Sequence, residues 1–160
     1  MEIKFGEVDS VEFAIYLNKK AKEKNIEINL TKIQKLLYIC YGIYFALNKK
    51  QLLNELPKAW DYGPVFPRVH KMQKKHGGNL DNLLSEILLI RTFEKYDDLI
   101  DLVLGHFGSW NATELVVWTH TEGSAWDKKY NIQNEKYFSI DNFDIISDFD
   151  AMLINEDDND

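Results

Sequence analysis

The sequence predicts a mainly α-helical protein: a single compact helical domain with a small β-hairpin or extended element around residues 51–67. Apolar residues recur at helical spacing along most of the chain. That spacing is lost between Gln51 and Pro67, where prolines restrict their predecessors to extended geometry and Gly63 allows a turn. With 160 residues, 45% of them apolar, the chain has the size and composition of one domain with an ordinary core.

The first two helices are predicted by their caps as well as by their periodicity. Asp9 or Ser10 can cap a first helix that ends in a lysine-rich stretch, where cations suit the helix dipole. The second helix has the clearest pattern, because Thr31 and Gln34 form a capping box and apolar residues follow at spacings of one, three and four. This apolar stripe is wide enough for a central core helix, which residues 48–50 close.

Further helices are predicted after the hairpin. The third should begin near Pro67, which suits a first-turn position, and stop before Gly77. Others are predicted over residues 79–90, over residues 97–107 with Asp97 as the cap, and over residues 111–119 with Asn111 and Glu114 at the start. Residues 132–154 are ambiguous: residues 137–138 suit an extended segment, and residues 145–153 suit a helix.

Negative charge is concentrated at the C-terminal end. Residues 137–160 contain seven Asp, one Glu and no Lys or Arg, so the net charge of −7 leaves residues 1–136 close to neutral. We therefore expect a helical domain over residues 1–136 and an acidic C-terminal segment over residues 137–160, whose last five residues form a disordered tail. A near-neutral body with an acidic end argues against direct nucleic-acid binding, which needs clustered positive charge.

Cysteine content and hydropathy indicate a cytoplasmic protein. Cys40 is the only cysteine, which excludes an internal disulfide and a zinc site made of several thiolates, and it lies on an apolar helix face where an inert thiol is expected. Residues 1–13 are too acidic for a signal peptide. The apolar runs, such as Ile87–Ile90, are too short to span a membrane.

No catalytic or metal-binding pattern stands out. The four histidines do not form a two-ligand helical motif, so we expect no metal site, and no glycine-rich phosphate loop predicts a cofactor. His120 and Glu122 could form an acid–base pair, although no nucleophile is tied to them. The alternative is that both stabilise their loop through hydrogen bonds, and we expect no enzymatic activity.

Two aromatic loops and one basic helix remain as candidates for partner binding. Trp60 and Trp126 each lie in a short glycine-containing segment, where they serve either as core plugs or as interface anchors. On the third helix Arg68, Lys71 and Lys75 fall on one face. That face is either a solvated surface or a docking face for an acidic partner, such as the chain's own acidic segment.

Three motifs resemble the Panacea domain, also called SocA-like or phage-associated GepA-like. They are Leu30–Tyr38 with its Thr-x-Ile-Gln-Lys pattern, Ala59–Val69 with Trp-x-Tyr-Gly-Pro, and Thr119–Trp126 with Thr-His-x-Glu-Gly-Ser-Ala-Trp. The resemblance carries over the following signature positions: Gln34, Lys35, Trp60, Tyr62, Gly63, Pro64, Pro67, His120, Glu122 and Trp126. His70 departs from the pattern, because the family commonly has a tyrosine there.

The resemblance implies a bacterial or prophage antitoxin of the cytoplasm, without enzymatic activity, that neutralises a cognate toxin by direct protein–protein binding. One branch of the family acts as an adaptor that delivers its toxin to an AAA+ protease, which would then be a second partner. Two other hypotheses remain. The chain could be a phage-encoded inhibitor of a host defence protein that uses an acidic surface, or an enzyme that uses His120 and Glu122.

Overall fold

The computed structural model describes residues 6–78, 80 and 90–157, and it confirms a mainly helical fold with one small hairpin. For residues 90–92 and 155–157 only the backbone is described. The helix expected over residues 79–90 lies almost wholly outside the described residues. The described elements are α1 (Ser10–Glu23), α2 (Leu30–Asn48), β1 (Lys58–Trp60), β2 (Gly63–Val65), α3 (Pro67–Lys75), a 3-10 turn (Ile90–Tyr96), α4 (Asp97–Phe107), α5 (Ala112–Thr119), α6 (Ala125–Asp127), a π-helical turn (Lys128–Ile132) and α7 (Asn142–Asp157).

The first helix begins as one of the two predicted caps requires. The Asp9 carboxylate accepts a hydrogen bond from the Glu12 N–H at 2.9 Å, which satisfies a free amide of the first turn. Ser10 is the first helical residue and is fully buried. Its N–H donates to the side chain of Asn54, so the start of α1 is tied to the segment before the hairpin.

Helix α2 is the central element, as its apolar stripe predicts, but the predicted capping box is wrong. Asn29 is the cap, and its side chain accepts from the Lys32 N–H at 2.8 Å. Thr31 is already inside the helix, because asparagine two residues earlier caps as well as threonine does. The helix ends as expected at Lys49, which adopts a left-handed conformation with φ of 55°.

The expected hairpin is present. Strands β1 and β2 pair antiparallel with Trp60 opposite Gly63, and Gly63 has a φ of +105°, which favours glycine. The chain returns to this hairpin later, because the Ala59 N–H donates to the Phe138 carbonyl and the Tyr137 N–H donates to the Ala59 carbonyl. Tyr137 is not extended as proposed, since its φ is 69°; Ser139 supplies the bridge to Lys58.

Helices α3, α4 and α5 follow their predicted bounds, with one exception in capping. Pro67 opens α3, and the Asn111 side chain caps α5 by accepting from the Glu114 N–H at 2.8 Å. Asp97 does not cap α4, because a 3-10 turn leads directly into the helix. Its carboxylate instead accepts a hydrogen bond from the Tyr16 hydroxyl at 2.5 Å, which ties α4 to α1.

The acidic segment forms α7, which packs against α2. Ile145 and Phe149 are almost completely buried, and Gly42 of α2 leaves the space that the Phe149 ring occupies. The helix is longer than predicted and continues through Glu156 and Asp157, the first two residues of the expected tail; residues 158–160 lie outside the described residues. The domain boundary at residue 136 stays a prediction.

No helix among the described residues is both long enough and apolar enough to cross a membrane.

Candidate functional site

The three sequence motifs meet at one place, where the hairpin lies against α2 and α5. We call this place the motif junction and define it by Lys35, Gly63, Pro64, His120 and Trp126. Lys35 is its deepest member: its side chain is 1% exposed, and its ammonium nitrogen donates to the Pro64 carbonyl at 2.9 Å. Lys35 therefore fixes β2 to α2 through one buried hydrogen bond.

Gly63 is required at the junction for space as well as for conformation. A Cβ atom added there would lie 2.7 Å from Thr119 Oγ1 and 3.0 Å from Lys35 Cε. The glycine thus lets β2 approach both helices closely, in addition to adopting its positive φ. The Trp-x-Tyr-Gly-Pro motif is explained in part by this close approach.

Trp126 connects the third motif to the second. Its indole N–H donates to the Trp60 carbonyl at 2.8 Å, and its side chain is 5% exposed. The ring stacks on His120 at 3.8 Å between centroids and on Tyr130 at 4.5 Å on the other side. Trp126 is therefore a buried plug, which is one of the two roles expected for it.

Gln34 satisfies the backbone at the start of α3. Its side-chain oxygen accepts from the Phe66 N–H at 2.8 Å, and its amide nitrogen donates to Gln73 at 3.2 Å. Both glutamines are almost completely buried, and Gln73 in turn donates to the Leu30 carbonyl. Gln34 thus stabilises the connection between the hairpin and α3, and it does not form a capping box in its own helix.

Burial lowers the pKa of Lys35 to about 7. Between about pH 7 and the usual lysine range, the unfolded chain therefore holds a proton that the folded protein has lost. The free energy of unfolding should consequently rise with pH from about 7 to about 9, before the tyrosines begin to ionise. Urea denaturation at both pH values measures this rise.

The matched comparison uses two lysine-to-methionine substitutions. Lys35→Met should flatten the pH dependence between about pH 7 and about pH 9, because the titrating group is gone. Lys50→Met, at an exposed lysine, should leave the slope as it is. An unchanged slope in Lys35→Met would show that Lys35 does not lose its proton in this interval.

Beside the motif junction lies a partly exposed cluster of four aromatic side chains around one carboxylate. We call it the hairpin surface and define it by Trp60, Asp61, Tyr62, Tyr130 and Tyr137. Asp61 organises it, because its carboxylate accepts hydrogen bonds from the hydroxyls of Tyr130 and Tyr137. These bonds lower the pKa of Asp61. The Trp60 ring packs edge-on against His70 and against Tyr137.

Tyr62 has a different environment from its neighbours. It is 74% exposed at the turn of the hairpin. The described part of the chain provides neither a hydrogen bond nor a ring contact for its side chain. No hydrogen bond or ring contact among the described residues therefore gives the Tyr62 side chain a role in stabilising the fold.

The basic face of α3 is shorter than expected. Arg68 points back to the start of α1, where its guanidinium binds Asp9 at 2.8 Å and Asn54 at 2.8 Å. Lys71 and Lys75 are exposed. The described carboxylates of the acidic segment that form ion pairs do so with other lysines, through Lys49–Asp150 and Lys128–Asp144. A docking role for Lys71 and Lys75 stays a prediction.

The described side chains of His120 and Glu122 are not joined by a hydrogen bond or an ion pair, so they do not form an acid–base pair. The Nε2 atom of His120 is buried without a hydrogen-bond partner among the described residues, whereas Glu122 is exposed. Burial and the nearby Lys35 lower the pKa of His120, which keeps the stacked ring neutral.

Cys40 is fully buried, and burial raises its pKa, which suits an inert thiol. The described residues contain no group of three acidic, histidine or cysteine side chains arranged for a metal ion.

Sequence reasoning found most of the junction and missed most of the hairpin surface. The predicted positions at the junction or hydrogen-bonded to it are Lys35, Trp60, Gly63, Pro64, His120 and Trp126. Gln34 bonds to Phe66 and Gln73, Pro67 opens α3, and Glu122 and Tyr62 are exposed. Tyr130 and Tyr137 were not predicted, because nothing local in the sequence marks them as partners of Asp61. Their separations from Asp61 are 69 and 76 residues.

Two comparisons with known proteins identify the family. A family model described as "Antitoxin SocA-like, Panacea domain" matches residues 33–127. The chain is also 30% identical over 130 residues to "Antitoxin SocA" of Caulobacter vibrioides (strain NA1000 / CB15N), which covers 75% of this chain and 69% of that protein. No solved structure gives a significant match. The motif junction lies within the matched region, and the chain belongs to the SocA-like antitoxin family with the Panacea domain.

Proposed function

We propose that this protein neutralises a cognate toxin by binding it directly, with the hairpin surface as the contact. Membership of the SocA-like antitoxin family supports the antitoxin role. The observation that carries the proposal is the exposure of Tyr62, a signature residue that is 74% exposed and without a described partner. A tyrosine placed in this way is typical of an interface anchor, because its large ring gains much from burial by a partner.

The surroundings of Tyr62 are suited to binding because they are already ordered. Asp61 is held by two tyrosine hydroxyls, and the strand before it is fixed to Trp126 by a hydrogen bond. A partner that docks here meets side chains that have lost much of their freedom beforehand. The entropic cost of association is therefore reduced.

The hypothesis of an acidic surface that imitates phosphates receives less support from α7. Asp144 pairs with Lys128, and Asp150 pairs with Lys49. Asp148 accepts a hydrogen bond from the backbone of α6. These carboxylates are used within the fold, so they form no array of unpaired charges.

Growth rescue tests the proposal. The product of the adjacent gene is expressed as the toxin, with and without this protein, and the complex is isolated through a tag on the toxin. Restored growth together with a stable complex is the expected result. Restored growth with a shortened toxin half-life would favour delivery to an AAA+ protease over occlusion. The absence of both rescue and a complex would contradict the antitoxin role.

A variant separates binding from catalysis. Glu122→Gln removes the exposed carboxylate of the possible acid–base pair without disturbing a described contact. Rescue by Glu122→Gln should equal that of the unmodified protein. Loss of rescue with an intact complex would instead favour an enzymatic role for this residue.

A further inference from the structure

The hairpin surface lies in a positively charged part of an otherwise acidic chain. Residues 58–76 contain five basic and one acidic side chain, and residues 128–138 contain three basic and one acidic, whereas the whole chain has a net charge of −7. Arg68, Lys128 and Lys129 are neutralised by ion pairs within the fold. Lys58, Lys71, Lys74 and Lys75 have no ion pair among the described residues.

Two lysines lie beside the aromatic side chains on different elements. On α3, Lys74 is one turn beyond His70, whose ring is 4.9 Å from that of Trp60. Burial lowers the pKa of His70, and the nearby charge of Lys74 lowers it further. Residues 133–141 connect the π-helical turn to α7, and we call them the return segment. In this segment the ammonium group of Lys136 lies 4.9 Å from the centre of the Tyr130 ring. The aromatic cluster is thus flanked by cations contributed by α3 and by the return segment.

This charge argues against a second copy of the chain as the occupant. In a twofold-symmetric dimer the same patch faces itself, so the lysines of one copy would oppose those of the other. Like charges brought together at an interface cost free energy. The hairpin surface is therefore better suited to a partner of opposite charge.

Asp61 argues against nucleic acid as the occupant. Its ionised carboxylate lies among the aromatic rings, and its lowered pKa keeps it ionised at neutral pH. A phosphate backbone carries a charge at about every 3.4 Å of each strand, so a strand crossing these rings would bring phosphates close to Asp61. A protein surface can place its carboxylates at the edges and an uncharged group at the centre.

We propose that the hairpin surface binds a region of the toxin that has an apolar or aromatic centre and acidic side chains at its edges. In this complex the acidic side chains meet Lys74 and Lys136, and the centre covers Tyr62 and Trp60. The inference rests on the proposed function and adds the chemistry of the partner. It also implies that the toxin recognised here need not present a basic, nucleic-acid-binding face to its antitoxin.

Charge reversal tests the inference. The toxin encoded by the adjacent gene is purified and titrated by calorimetry against the full-length protein and against Lys74→Glu, Lys136→Glu and Lys50→Glu. The first two variants should bind roughly tenfold more weakly at low salt, and the difference should shrink as salt is added. Lys50→Glu carries the same change of charge just beyond the end of α2, and it should bind within about twofold of the unmodified protein.

The outcomes distinguish the inference from the proposed function. Binding by the unmodified protein that Lys74→Glu and Lys136→Glu leave intact would overturn the inference and keep the antitoxin role. No binding by the unmodified protein would overturn the antitoxin role itself. A dimer of the free chain that Lys74→Glu dissociates would assign the surface to a second copy. Binding of a labelled single-stranded oligonucleotide at physiological salt, lost in Lys74→Glu, would assign it to nucleic acid; either result overturns the inference.

Discussion

Gly42→Ala is expected to destabilise the protein by about 1–3 kcal/mol, although alanine is the better helix former. A Cβ atom at residue 42 would overlap the ring of Phe149, which is 1% exposed between α2 and α7. The ring also packs against Tyr38 and Trp118, so it has little room to move aside. Helix α7 must therefore shift, and the packing of the acidic segment is weakened.

The matched control is the same substitution at Gly105. This glycine is exposed within α4, and a Cβ atom there would meet nothing within 4 Å. Gly105→Ala should therefore stabilise the protein by up to about 1 kcal/mol. Urea denaturation measures both changes, and a change of the same sign in the two variants would contradict the described contact between α2 and α7.

Gln34→Leu is expected to lower the free energy of unfolding by about 2–4 kcal/mol. The substitution introduces an apolar side chain of similar size and leaves the buried Phe66 N–H without its acceptor. The side-chain oxygen of Gln73 loses its donor as well. Each orphaned buried group costs about 1–3 kcal/mol, because it has given up its hydration on folding and has lost the partner that compensated for this.

An exposed glutamine provides the comparison for this second variant. Gln133→Leu makes the same chemical change at an exposed position in the return segment, where we expect a shift within about 0.5 kcal/mol. Thermal and urea unfolding of both variants measure the difference. If Gln34→Leu has the same melting temperature as the unmodified protein, then Gln34 does not stabilise the start of α3. Its place among the signature positions would then need another reason.

The helices could be predicted from sequence because their signals are local. The apolar stripe of α2, the Asn111 cap of α5 and Pro67 at the start of α3 each act over a few residues. The hairpin was predicted for the same reason, since Gly63 sets the turn by its backbone conformation. Local choices between neighbouring caps were harder, as Asn29 in place of Thr31 shows.

The candidate site could be predicted only in part, because its contacts join distant residues. The three motifs marked Lys35, Gly63 and Trp126, but no local pattern indicates that Lys35 donates to Pro64 or that Trp126 donates to the Trp60 carbonyl. The role of Arg68 was hidden in the same way. Its partner Asp9 lies 59 residues away, and only the fold brings the two together.

The acidic segment shows how composition can obscure packing. Its carboxylates suggested a solvated end, yet Ile145 and Phe149 lie four residues apart and form the face that packs on α2. The same helix thus serves two roles, with carboxylates in ion pairs and an apolar face in the core.

The affinity of the toxin for Tyr62→Ser tests the central claim most directly. Calorimetric titration should show binding weakened at least about tenfold relative to the unmodified protein, while the melting temperature stays the same, because Tyr62 contributes no described contact to the fold. Leu47→Ser, at another largely exposed apolar residue near the end of α2, should change neither quantity appreciably. Unchanged affinity in Tyr62→Ser, with the unmodified protein bound, would contradict the hairpin surface as the site of toxin binding.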